Sequence, residues 1–236
     1  MDYNNNYKDE PASYTYLLEK LEISIDEFNK SFDNENIDAH SQIKYAQLYA
    51  NRLSILISKL RGNKNLDFLD CGCGLGFIPR ELKKLGNYNI NYCDPSSSVK
   101  KIHEKVFPKE NFFQSDVENL QNHKKKFDII YLREVYPFTR NSNYENQNKL
   151  IKILNNQLNK NGLIIFEQIK NKSDLFDNLK ILNINHKIIP LLPVKFGERK
   201  NLNKVFFESS ILQFLLKIIY KILRKKINHF ILISKF

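Results

Sequence analysis

From Leu66 onward, short apolar runs alternate with longer stretches whose apolar positions recur every three or four residues. The short runs are Leu66 to Asp70, Ile90 to Cys93, Asn111 to Gln114, Phe127 to Leu132, Leu163 to Gln168, Lys187 to Leu192 and Phe230 to Ser234. Between the first five lie segments long enough for crossover helices, notably Phe77 to Leu85, Ser96 to Val106 and Tyr144 to Asn159. That is the rhythm of βαβ units, and it predicts a parallel sheet with helices on both faces. Before Leu66 the period is helical only: Tyr14 to Lys30, then a helix capped by Asp38 and closed by Gly62. The pattern thus divides the chain into a helical extension and lid over residues 1–62 and a core over 63–236, with a helical insertion at about 194–228 before the final strand.

Composition adjusts this picture in three places. The chain has 236 residues, 42% of them hydrophobic, enough for one domain with a substantial core and attached helices. No run approaches the ~20 uninterrupted apolar residues of a spanning helix, and the start, MDYNNNYKDEP, lacks a signal-peptide pattern, so the expected location is the cytoplasm. Cys71, Cys73 and Cys93 cannot form a disulfide framework, and a Cys-x-Cys without a second ligand pair points to no metal.

The formal charge is +11, which raises nucleic acid and anionic surfaces as partners. The chain is rich in Asn, Lys and Ile throughout, so position is more informative than the total. From Lys187 to Phe236 there are eleven Lys and Arg against Glu198 and Glu208. The basic character belongs to one end.

The densest chemistry lies in LDFLDCGCGLGFIPRELKKLG, from Leu66 to Gly86. A buried strand ends at Asp70, Gly72, Gly74 and Gly76 follow at alternate positions, and a helix begins. Glycines let a ligand approach the backbone closely, and a helix N-terminus presents free N–H groups. The carboxylate of Asp70 would repel an anion at that place; it suits a cationic ammonium. The stretch Asp70-Cys71-Gly72-Cys73-Gly74-Leu75-Gly76 resembles motif I of the class I methyltransferases, D-x-G-x-G-x-G. A dinucleotide fingerprint would put its third glycine one position later.

The resemblance implies a Rossmann-like, seven-stranded, mostly parallel sheet with its last strand antiparallel, and S-adenosylmethionine as cofactor with S-adenosylhomocysteine as product. It assigns Asp70, Gly72, Cys73 and Gly74 to the methionine part. NINYCDP ends the second strand at Asp94, eighteen residues after Gly76, where a carboxylate meets ribose hydroxyls, with Pro95 beside it. NFFQSDVENL places Asp116 and Val117 after the third strand, like the family element whose acid accepts from the adenine amino group while the apolar neighbour packs on the ring. KFDIIYLREVYPF sets Arg133, Glu134 and Val135 past the fourth strand, similar to F-D-x-I-x-x-x-E-V of small-molecule methyltransferases. LNKNGLIIFEQ resembles the L-x-P-G-G element, with Asn161 where glycine or proline is usual.

Methyl transfer from a sulfonium is an in-line displacement, so the protein chiefly aligns the reactants and excludes water. Family members with a base often carry His just after the fourth strand; here Tyr136, Pro137 and Phe138 follow Glu134-Val135. The loop holding Arg133, Glu134, Tyr136 and Arg140 is therefore expected to face the acceptor, with Glu134 and Tyr136 as catalytic candidates. Tyr136 and Phe138 packing under the cofactor is the alternative. Of the histidines, His103 is expected on the far side, His123 in solvent and His229 at the last strand; His40 and His186 fall nearest the mouths. An N-P-P-Y-type motif is missing, which disfavours nucleic-acid base methylation.

The expected reaction is methylation of a small hydroxylated acceptor, such as a sugar or glycan precursor, with oxygen favoured over nitrogen. An RNA methyltransferase gripping phosphates with its basic end, or an enzyme for a lipid-linked substrate, are the alternatives. They meet in SSILQFLLKIIYKILRKK, where Ile211, Leu215, Ile218, Ile219 and Ile222 form an apolar face and Gln213, Lys217, Lys221 and Arg224 a polar stripe. The helix over 210–226 is expected to pack its apolar face on the domain, with peripheral membrane contact as the other reading.

Overall fold

The computed structural model describes residues 39–62, 64–139, 143–168, 175–192, 200–222 and 229–235. The helix predicted over Tyr14 to Lys30, the cap at Asp38 and the side chains of His40 and Arg140 lie outside the described residues. In chain order the elements are α1 (Ala39–Arg61), β1 (Leu66–Cys71), α2 (Phe77–Lys83), β2 (Tyr88–Asp94), α3 (Ser97–Val106) and β3 (Asn111–Gln114). After a 3₁₀ turn at Asn119–Asn122 come β4 (Phe127–Arg133), α4 (Tyr136–Thr139), α5 (Tyr144–Asn156), β5 (Leu158–Gln168) and α6 (Leu175–Ile181). The chain continues with β6 (His186–Pro190), α7 (Lys200–Glu208), α8 (Ser210–Ile222) and β7 (His229–Ser234).

The seven strands form one sheet in the order β3-β2-β1-β4-β5-β7-β6. Pairings among β1 to β5 are parallel, and β7 runs antiparallel to both β5 and β6. Strand alternation splits the core in two. Leu69, Cys71, Ile130, Leu132, Ile164 and Phe166 face α5 and α6 through Leu150, Leu154, Leu175 and Leu179. Phe68, Tyr92, Ile129, Tyr131, Ile165 and Leu232 face α1, α2 and α7 through Leu53, Ile57, Leu82 and Phe207. Within α1, Ala50, Leu53, Leu56 and Ile57 belong to the core of this second face.

Two boundaries differ from the pattern for local reasons. Strand β5 starts at Leu158, because Leu158 pairs with Phe127 before the register slips and Leu163 pairs with Ile129. The slip is made by residues the pattern reads as a turn, among them Asn161 with φ of 67°. The second correction concerns α8. Its apolar row points away from the domain: Ile211, Phe214, Leu215, Ile218, Ile219 and Ile222 are all exposed. The side docked on the body is the polar one, with Gln213 Nε2 donating to the carbonyls of Phe206 (3.2 Å) and Phe207 (3.1 Å). Lys217 Nζ donates to the carbonyl of Ile188 on β6 (3.4 Å).

Candidate active site

The first strand delivers Asp70 to the carboxyl edge of the sheet, and the chain then has five residues, 72–76, in which to turn into α2. Gly72, Gly74 and Gly76 all take left-handed backbone angles there. At Gly72 a Cβ would come within 2.8 Å of Val135 Cγ2, so the loop can lie against the β4–α4 connection only with glycine. Around Gly74, with φ of +51°, nothing lies within 4 Å of where a Cβ would stand.

Neighbouring strand ends hold the loop. The N–H groups of Gly72 and Cys73 donate to the Cys93 carbonyl at 2.7 and 3.0 Å. Asp94 uses both oxygens: Oδ2 accepts from the Gly74 N–H (3.0 Å) and Oδ1 from the Ser96 N–H (2.9 Å). Each carboxylate oxygen retains a further lone-pair direction. Burial raises the Asp94 carboxyl, and the two backbone N–H groups pull it back.

A second layer under the loop escapes the sequence reading. Arg80 of α2 is buried, donates to the Leu75 carbonyl, and forks onto Glu110 through Nε (3.0 Å) and Nη2 (2.7 Å). Its guanidinium lies 3.4 Å from the centroid of Phe107. His103, expected on the far side, is buried here, with Nε2 donating to the Gly74 carbonyl at 3.2 Å. His186 is also misplaced by the sequence: it opens β6 at the amino edge and bonds its neighbour Ile184 (2.8 Å). His123 is half-buried against Phe113, with ring centroids 4.9 Å apart.

Across the loop lies a cavity of about 390 Å³, lined by Cys71, Gly72, Asp94, Pro95, Ser115, Asp116, Val117, Arg133, Glu134, Val135, Tyr136 and Pro137. Eight of the eleven residues singled out from the sequence line it; Asp70, Cys73 and Gly74 stand in or next to the loop behind. Val117 is buried, and Asp116 Oδ1 accepts from Asn119 N–H (2.8 Å), leaving Oδ2 outward-capable. Arg133 lies over the Tyr49 ring of α1 at 4.1 Å. Phe138 packs on Phe166 in the core, whereas Tyr136 is 62% exposed, so the two do not pack together as the alternative reading had them. Glu134 takes φ of 54°, a conformation non-glycine residues adopt at a cost and most often at functional positions. A larger cavity of about 600 Å³, between Ser58, Gly62, Tyr88, Lys204 and Phe207, opens where β2 begins. Ligands of open α/β sheets sit at the carboxyl ends, so size does not choose between the two.

A family model described as a methyltransferase domain matches residues 69–166. The plantazolicin methyltransferase BpumL, solved with a monoazolic desmethylPZN analog and SAH, is 16% identical with TM-score 0.61, covering 99% of each chain. BamL, solved with a triazolic analog and SAH, is 14% identical with TM-score 0.57, over 94% of this chain and 98% of that one. No curated protein sequence matches the chain. Residues 69–166 carry a methyltransferase domain, on the fold that these S-adenosylhomocysteine complexes share.

The electrostatics of this methyltransferase domain fit a cofactor with a cationic amino group. Burial, reinforced by Asp94, lifts the Asp70 carboxyl from 3.8 to about 7, while Arg133 and Arg80 pull it down. Between those values the folded, ligand-free chain keeps a proton that the unfolded chain has released, so stability falls as pH rises through the window. An ammonium group paired with Asp70 reverses the preference and expels the proton. Affinity for S-adenosylhomocysteine is therefore expected to rise about tenfold per unit up to pH 7 and then level off. Titration calorimetry between pH 5.5 and 8 checks this, and Asp70→Asn should flatten the profile.

Proposed function

We propose that this methyltransferase acts on a hydroxyl of a small hydroxylated acceptor, of the sugar or glycan-precursor class, and that Glu134 takes the hydroxyl proton. The observation that carries the reading is the cavity itself, whose lining brings Gly72, Asp94, Pro95, Asp116 and Val117 together with Arg133, Glu134 and Tyr136. The first group would hold the cofactor: Asp70 and Gly74 at the methionine part, Asp94 at the ribose, Asp116 and Val117 at the adenine. The second would hold the acceptor, with Arg133 between the two and Cys73 supporting the loop through its 3.3 Å bond to the Gly74 carbonyl.

The bound cofactor supplies an electrophilic methyl group on a sulfonium. The chain's own work is positional and acid–base. The backbone of Glu134 is tied down by its N–H donating to the Glu167 carbonyl (3.4 Å). As the methyl group passed from sulfur to the acceptor oxygen, the Glu134 carboxylate would take the hydroxyl proton. Tyr136, exposed beside it, is placed to hydrogen-bond a neighbouring acceptor hydroxyl. Tyr49 brings α1 to Arg133, which supports a part for the N-terminal region in covering the acceptor.

Support for oxygen as the nucleophile is the carboxylate and phenol at the mouth, both suited to hydroxyl groups. An acceptor of the plantazolicin kind is the second reading, favoured by the whole-chain likeness to BpumL. An RNA acceptor finds less support, because among the described residues Tyr136 is the one aromatic side chain lining the cavity. The test is release of S-adenosylhomocysteine with panels of nucleotide sugars, free glycosides, azole peptides and RNA. Turnover confined to hydroxylated small molecules supports the proposal; turnover on peptides or RNA alone replaces it.

Asp94→Ala is expected to weaken cofactor and product alike by about 1–3 kcal/mol, the usual cost of losing charge-assisted hydrogen bonds. Calorimetry of the variant beside the unaltered chain measures it.

A further inference from the structure

Helix α8 is amphipathic in the reverse sense to a packed surface helix. Its thirteen residues span about 20 Å. Ile211, Phe214, Leu215, Ile218, Ile219 and Ile222 recur at i, i+3, i+4, i+7, i+8 and i+11, a single face, and they are 38% to 73% exposed. Gln213 and Lys217 anchor the other side to α7 and β6. A helix held by its polar side presents its apolar row to something outside, and among the described residues nothing covers it. Leu202 and Val205 of α7 are exposed too.

We propose that this face docks on an anionic lipid surface, placing α8 in the plane of the interface. Charge decides between the occupants. Lys187 on β6, Lys204 on α7 and Lys217 on α8 are all exposed, with Glu208 the exposed acid of these three elements. In sequence, Lys221, Arg224, Lys225 and Lys226 follow directly. An exposed apolar row on elements whose exposed charges are mostly lysine matches the acyl boundary and the phosphate layer of an anionic bilayer together. A second copy would bring the same lysines, on a chain of charge +11, against each other. Among the described residues no helix is long and apolar enough to cross a membrane, so the contact is peripheral. This proposal is independent of which acceptor is methylated.

The experiment is flotation of the full chain with vesicles of phosphatidylcholine and phosphatidylglycerol at 70:30, and with phosphatidylcholine alone, in 0.1 M salt. Binding to the mixed vesicles is expected, at least tenfold weaker to the neutral ones. Two variants separate the contributions: Phe214→Ser with Ile218→Ser, and Lys217→Glu with Lys221→Glu and Arg224→Glu. The first should lose binding to both vesicle types, and the second should lose the preference for anionic lipid, by about a hundredfold for three basic residues. Both should keep their affinity for S-adenosylhomocysteine, which shows that they are folded. A full chain that stays at the bottom of the gradient overturns the proposal, whether or not it self-associates. So does a serine variant that floats like the unaltered chain.

Discussion

Gly74→Val is expected to weaken S-adenosylhomocysteine by more than about a hundredfold, to the point where calorimetry registers no saturable heat. Two effects act in the same direction. Gly74 has φ of +51°, which a β-branched residue reaches only with strain, so the loop would be drawn toward another backbone geometry. The open space at its Cβ position is the space the methionine part would take, so the isopropyl group would occupy it. The Gly74 N–H to Asp94 bond and the His103 bond to the Gly74 carbonyl tie this residue to β2 and α3, so a shift also displaces Asp94. Asp94→Ala costs less, because it removes hydrogen bonds without filling space. A melting temperature near that of the unaltered chain would show that the loss is local; unchanged affinity would remove the glycine loop from the cofactor site.

The second large effect is expected on turnover. Glu134→Gln keeps the shape of the side chain but leaves no base for the acceptor proton, and the rate of methyl transfer should fall by about 10² to 10⁴, the usual contribution of a positioned base. Affinity for S-adenosylhomocysteine should change little, because the proposal assigns Glu134 to the acceptor and not to the cofactor. Glu134→Gly, which relieves the left-handed backbone at φ of 54°, should stabilise the chain slightly while sharing the loss of activity. A glutamine variant with full turnover would leave Glu134 as a positioning residue and the proton to another acceptor.

What the sequence made legible was the part controlled by local chemistry. β3 falls on Asn111–Gln114 as the apolar run predicts, and Gly62, read as the end of α1, takes φ of 69° and donates to the Ser58 carbonyl (2.9 Å). Asp94, Asp116 and Glu134 were each found as an acid after a strand, and parallel pairing brings those strand ends to one edge. Arg80 and His103 were missed because helical periodicity treats a polar residue as solvated. Their burial depends on Glu110, thirty residues beyond Arg80, which no local pattern connects. A clue was present: Arg80 stands in FIPRELK between Ile78 and Leu82, on the side of the helix that turns inward.

Helix α8 failed for a different reason. Hydrophobic spacing reveals that a helix has two faces, and the default assumption turns the apolar one inward. Which face docks was decided by Gln213 reaching the terminal carbonyls of α7 and by Lys217 reaching the edge strand β6. Neither partner is identifiable before the insertion is folded.

The most direct measurement is titration calorimetry of the unaltered chain at pH 8 with S-adenosylhomocysteine, alongside NAD. Binding of one S-adenosylhomocysteine per chain with affinity on the order of micromolar, about 8 kcal/mol, and no heat with NAD is the predicted result. Saturable heat with NAD and none with S-adenosylhomocysteine would contradict the assignment of the glycine loop and of the acids around it.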